Sequence, residues 1–131
     1  SADDELIISA DTVVAVSNEI LGKPADKEDA RRMINLLSGK THQVYTGVTL
    51  SLKGKSITFS EKTDVTFFPL SDEEIEEYIS SKEPYDKAGA YGIQGKASLL
   101  VEGINGDYFN VVGFPVARVK RELIEFLHNT N

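Results

Sequence analysis

Three polar groups break otherwise apolar or tightly turned stretches of this chain, and these are the places where chemistry could sit. Asp11-Thr12 falls within the strand-forming run from Leu6 to Val16, Lys23 stands between Gly22 and Pro24, and Asp86-Lys87 and Gln94 belong to a glycine-rich turn with Gly89, Gly92 and Gly95. A carboxylate in a segment that otherwise favours burial carries a large desolvation cost unless it is paired, metal-bound or facing a cleft. Asp11 is therefore either a functional carboxylate or a buried one that hydrogen-bonds a neighbouring turn. Lys23 by itself reads as a solvated charge, and Asp86-Lys87 as a local ion pair. Tyr91 and Gln94 could serve the loop's own backbone groups, and His42, Tyr45, Phe67 and Tyr78 read most simply as structural residues.

Several chemistries are excluded outright. There are no cysteines and two histidines, so a disulfide framework, a thiolate zinc site, a Cys nucleophile and a multi-His metal centre are all ruled out. No Gly-x-x-x-x-Gly-Lys-Ser/Thr phosphate loop, Gly-x-Ser-x-Gly elbow or His-Glu-x-x-His pair occurs. A net charge of -7 argues against a broad surface for a nucleic-acid polymer, yet a small phosphorylated ligand needs only a few cations in one cleft. The absence of a membrane-length apolar run, and the acidic opening Ser1-Ala2-Asp3-Asp4-Glu5, lead to the expectation of a cytoplasmic protein without a membrane partner.

The elements that must position these residues follow from periodicity. Leu6–Ala10 and Thr12–Val16 predict a buried strand interrupted by Asp11, with a turn at Ser17-Asn18. Asp26 is placed to cap a helix over Lys27–Leu37, whose Ala30, Met33, Ile34 and Leu37 share a face. Val44–Leu52 and Ile57–Phe67 predict a hairpin about Lys53-Gly54-Lys55. Ser71 and Glu74 form a capping-box signature before a short acidic helix carrying Ile75, Tyr78 and Ile79. Residues 86–95 predict a shaped loop, a common ligand-holding device. Leu99–Glu102 and the segment around Ile104 predict a further strand, and a last helix starts near Pro115 and frays over His128–Asn131. No repeat or linker divides the chain, so residues 1–131 are expected to form one mixed domain.

Taken together and in order, the polar segments resemble the Maf family of nucleoside triphosphate pyrophosphatases over nearly the whole chain. The resemblance is carried by Ala10-Asp11-Thr12-Val13-Val14, Leu21-Gly22-Lys23-Pro24, Leu37-Ser38-Gly39-Lys40-Thr41-His42 with Thr46-Gly47, the segment from Asp86 to Gln94, and Gly106-Asp107-Tyr108 through Pro115. It implies an α/β fold of the inosine triphosphate pyrophosphatase type, a mixed β-sheet flanked by helices, truncated at the amino end. It further implies hydrolysis between the α and β phosphates, giving a nucleoside monophosphate and pyrophosphate with the help of Mg2+ or Mn2+. By this similarity Asp11 is the proton acceptor that activates water and also a metal ligand. Lys23 and Lys87 would meet the phosphates, with Asp86 and His42 as supporting groups. Thr12 and Gln94 would select the base, and the Asp-Thr pair resembles the branch acting on dTTP and UTP, with modified pyrimidine nucleotides as further substrates.

Two features depart from the family pattern. Phe114 stands where Leu is usual, a conservative change. The chain also starts downstream of the family's Ser-x-Ser-x-x-Arg-Arg loop and essential Glu, which the resemblance implies supply phosphate contacts, a base-selecting Arg and metal binding. A homodimer is the family expectation. The rival reading is a non-catalytic regulatory or interaction protein linked to septum formation, and retention of Asp11, Lys23 and Gln94 favours the enzyme.

Overall fold

Two-residue alternation between covered and open side chains runs along β3 (Thr41–Leu52) and makes it the centre of the fold. In the computed structural model, which describes residues 4–130, the other strands are β1 (Ile7–Val16), β2 (Glu19–Leu21), β4 (Lys55–Phe67) and β5 (Val101–Asn105). The helices are α1 (Lys27–Leu37), α2 (Asp72–Ile79), α3 (Tyr108–Val112) and α4 (Val116–Thr130), with short 3-10 turns at Glu83–Asp86, Ala88–Ala90 and Lys96–Leu99. The sheet order is β2-β1-β3-β4-β5. Ser1–Asp3 of the acidic opening and Asn131 of the tail lie outside the described residues.

Local chemistry sets most boundaries. Ser17 and Asn18 turn β1 into β2 at φ values of 49° and 65°, and Lys53 and Gly54 turn β3 into β4 at 53° and 75°. Such two-residue turns match the right-handed twist of the paired strands. The Asp26 side chain accepts from the Asp29 N–H at the start of α1, and Ser71 and Glu74 close a reciprocal capping box on α2.

All neighbouring strands among the described residues pair antiparallel, so the expected mixed sheet is corrected here. The physical reason lies in the connections. β3 begins beside the end of β1, with Gln43 opposite Ala15, and β5 begins beside the end of β4, with Val101 opposite Phe67. A chain that re-enters at the end it left must run backwards.

Three further expectations are revised. β1 is continuous through Asp11, and its first half is not buried, with Ile7 and Ile8 at 53% and 40% exposure. β3 covers one edge of β1 from Ile7 to Ala15, whereas β2 covers the other only over Val14–Val16. The Leu99 region forms a 3-10 turn rather than a strand. The predicted frayed end is helical to Thr130, because buried Phe126 holds α4 on the sheet and the Thr130 hydroxyl donates to Leu127 O at 3.3 Å.

One face of β3 carries His42, Val44, Thr46, Val48 and Leu50, all buried. Val44 joins a large apolar cluster with Met33, Ile34 and Leu37 of α1, Ile75 and Ile79 of α2, and Phe67. Val48 and Leu50 join a separate cluster with Val119 and Phe126 of α4. Thr46 lies between the two. The sheet face is thus apolar at both ends and polar in the middle, and that middle adjoins the candidate site.

Candidate active site

A cleft of about 580 Å³ opens where β1, the loop after β2, the 83–95 segment and the end of α3 meet. Its walls include Asp11, Thr12, Lys23, Asp86, Lys87 and Gln94, which lie in three separate stretches of sequence. These are the candidate site residues apart from His42. Asp11 and Thr12 pair with Gly47 and Thr46 respectively, so they occupy alternate registers of the sheet. Asp11 is exposed and Thr12 half-buried.

The 83–95 segment owes its shape to close packing of glycines against charged side chains. A Cβ added at Gly92 would lie 2.5 Å from Lys87 Cε, and one at Gly95 would lie 2.5 Å from Glu83 Oε2. The absence of both methyls lets Lys87 lie over Gly92 and lets Glu83 reach the next peptide. The Glu83 carboxylate accepts from the Lys96 N–H at 2.8 and 3.0 Å. It thereby ties the start of the loop to the residues following Gln94. Lys87 Nζ is 3.9 Å from Asp86 Oδ1, with both heads well exposed. At that separation in water the pair is weak, and the ammonium keeps its charge available to the cleft.

His42 does not line the cleft; it stands behind the wall. It is fully buried, its Nε2 lies 2.5 Å from the Tyr91 hydroxyl, and its ring packs edge-on against both Phe67 and Tyr91. Burial pushes its pKa down to about 4, with the Asp64 charge opposing that shift weakly, so the ring is neutral at pH 7. Burial likewise pushes the Tyr91 hydroxyl up. The Tyr78 hydroxyl donates to Ala90 O at 2.9 Å. Two buried aromatic side chains thus grip the 3-10 turn that holds Gly89 and Ala90 at φ values of 72° and 69°.

The fourth wall is the end of α3. Asp107 caps α3 by accepting from the Phe109 N–H, and Asn110 pins the helix to the sheet. Its Nδ2 lies 3.0 to 3.1 Å from Val44 O, Glu61 O and Thr63 Oγ1, sharing its two protons among the three acceptors, and this fixes Val111, Val112 and Gly113 against the cleft. The lone polar residue in Tyr108-Phe109-Asn110-Val111-Val112 was the available sequence signal for it.

Chemically, the cleft offers carboxylates at Asp11, Glu83 and Asp86, ammonium groups at Lys23 and Lys87, and an amide at Gln94. Among the described residues no three His, Cys, Asp or Glu side chains converge as a ready metal cage. None of the described helices is long and apolar enough to cross a membrane.

A Bacillus cereus protein and a Bacillus anthracis protein, each named dTTP/UTP pyrophosphatase, are each 55% identical to the chain over 123 residues. Those matches cover 94% of this chain and 64% of each relative, so the chain spans somewhat less than two thirds of their length. The model of the family described as Maf-like protein matches residues 1–126. With nearly every residue inside that match, the chain belongs to the Maf-like protein family.

Proposed function

We propose that this chain is the greater part of a nucleoside triphosphate pyrophosphatase acting on dTTP and UTP, and that residues 1–131 form one domain. The observation that carries the reading is the convergence of Asp11, Thr12, Lys23, Lys87 and Gln94 on one cleft. The names of the 55% identical relatives support the substrate class.

In this reading water attacks the α phosphorus, the bond to the bridging oxygen breaks, and pyrophosphate leaves with that oxygen. Asp11 accepts the proton of the attacking water, a task for a carboxylate within hydrogen-bond reach of it. Lys23 and Lys87 hold fixed positive charge near the phosphates, where it stabilises the charge that develops on their oxygens. Glu83 keeps Gln94 in place through the Lys96 peptide, and Gln94, able to donate and accept at once, meets the base. Asp86 and His42 support the loop from its two sides.

A divalent cation would be held by Asp11, with phosphate oxygens and water completing the shell that Mg2+ prefers. When bound it neutralises phosphate charge.

The test is to incubate dTTP, UTP, CTP, dATP and GTP with magnesium or manganese and to measure pyrophosphate and orthophosphate separately. This chain is compared with a version extended at its amino end by the corresponding segment of a relative. Pyrophosphate from dTTP and UTP is the expected product. Release of orthophosphate instead, or no product from either protein, overturns the proposal.

A further inference from the structure

The polar middle of the sheet face has a direction. The Thr46 hydroxyl is fully buried and lies 2.9 Å from the Thr12 hydroxyl and 3.3 Å from the backbone oxygen of Asn110. The Thr46 hydroxyl donates its one proton to Asn110 O, a carbonyl that also accepts from the Gly113 N–H at 3.1 Å. Thr46 can then meet Thr12 only as an acceptor, and the Thr12 proton is committed to Thr46. Thr12 Oγ1 is left with lone pairs alone for whatever enters the cleft.

The relay is held rigid from behind. Thr63 Oγ1 donates to Asp107 O at 3.0 Å and accepts from Asn110 Nδ2 at 3.0 Å, while the same amide grips Val44 O and Glu61 O. Moving Asn110 O away from Thr46 therefore disturbs the bonds of the Asn110 amide to Val44 O, Glu61 O and Thr63 Oγ1. Gly113 follows α3 beside the relay, and a Cβ there would lie 3.8 Å from Thr12 Oγ1.

We infer that Thr46, held by Asn110, is a positioning residue that makes Thr12 a one-way hydrogen-bond acceptor and so selects a pyrimidine with a proton on N3. This rests on the proposed function and on the family resemblance, by which Thr12 selects the base together with Gln94. Uracil and thymine joined to ribose through N1 have N3–H as their sole ring donor. Cytosine has a bare, accepting N3, which would face the Thr12 lone pairs without a proton between them. A polarity fixed from within the protein discriminates more strongly than a hydroxyl free to rotate, which satisfies either base.

The experiment compares kcat/KM for UTP and CTP in the native protein, Thr46→Val and Thr46→Ser, each as the chain alone and with the amino-terminal extension. Thr46→Val keeps the shape and removes the relay, and the UTP-to-CTP preference should fall about ten-fold, chiefly through faster CTP turnover. Thr46→Ser keeps the hydroxyl and should hold the preference within about two-fold. Hydroxyl-proton NMR of the native chain checks the relay without catalysis: the slowly exchanging Thr46 proton should show contacts to the Asn110–Val111 peptide and the Thr12 proton contacts to Thr46. Undiminished UTP preference in Thr46→Val, or a Thr46 proton directed at Thr12, overturns the inference and leaves the proposed function standing. No pyrophosphate release from either native form overturns the proposed function and the selectivity with it, while the proton contacts still decide the relay.

Discussion

Lys87 lies across Gly92 so closely that a Cβ at position 92 would sit 2.5 Å from its Cε and 2.6 Å from its Cδ. The ammonium is aimed at the cleft because its stem has a glycine to lie on. The atoms in the way are the far end of a flexible side chain, so a methyl at 92 displaces Lys87 rather than unfolding the loop. Gly92→Ala should raise KM for UTP about ten-fold, with a smaller change in kcat and little change in melting temperature. Steady-state kinetics alongside a thermal melt check this, and an unchanged KM would separate Lys87 from phosphate binding.

The buried His42–Tyr91 pair predicts a pH dependence of stability. His42 is neutral when folded, with its pKa held down at about 4, whereas in the unfolded chain it takes up a proton below about 6.5. Between those limits the unfolded state binds more protons, so stability is fully present above the unfolded pKa and is lost as pH falls towards 4. The loss is on the order of 3 kcal/mol over that window. Urea unfolding at pH 7, 6, 5 and 4.5 should show a steeper decline for the native chain than for His42→Gln, in which this group cannot titrate. Parallel declines would mean the acid sensitivity lies elsewhere.

Asn110 joins α3 to two strands through a single amide that donates to Val44 O, Glu61 O and Thr63 Oγ1. Asn110→Ala strips those acceptors of their partner in a fully buried place and should destabilise the fold by about 2 to 4 kcal/mol. It should also loosen the wall formed by Val111 and Val112. Urea denaturation gives the first number. Backbone amide exchange over Tyr108–Gly113 reports the second, and protection equal to that of the native chain would refute the anchoring role.

How much of this could be read from the residues depended on range. The caps at Asp26 and Ser71 and the alternation through Thr41–Leu52 are local chemistry, and both helices and the central hairpin could be placed from them. The cleft residues Asp11, Thr12, Lys23, Lys87 and Gln94 were marked out as polar breaks and tied together by the family pattern. Asn110 was missed because its three partners lie 47 to 66 residues away in sequence. Glu83 was missed because its role depends on the Cβ that Gly95 lacks. The exposure of Ile7 and Ile8 and the antiparallel sheet follow from strand order, which periodicity within one strand does not encode.

The central claim is that Asp11 accepts a proton from the water that attacks a nucleotide bound in this cleft. Asp11→Asn keeps the size and most of the hydrogen-bonding shape of the side chain but removes the base. Pyrophosphate release from UTP with magnesium should therefore fall at least about 100-fold in kcat, with KM changed far less. The measurement is made in whichever form of the protein, alone or extended, releases pyrophosphate. Asp11→Asn protein that turns over UTP at the native rate would contradict the account.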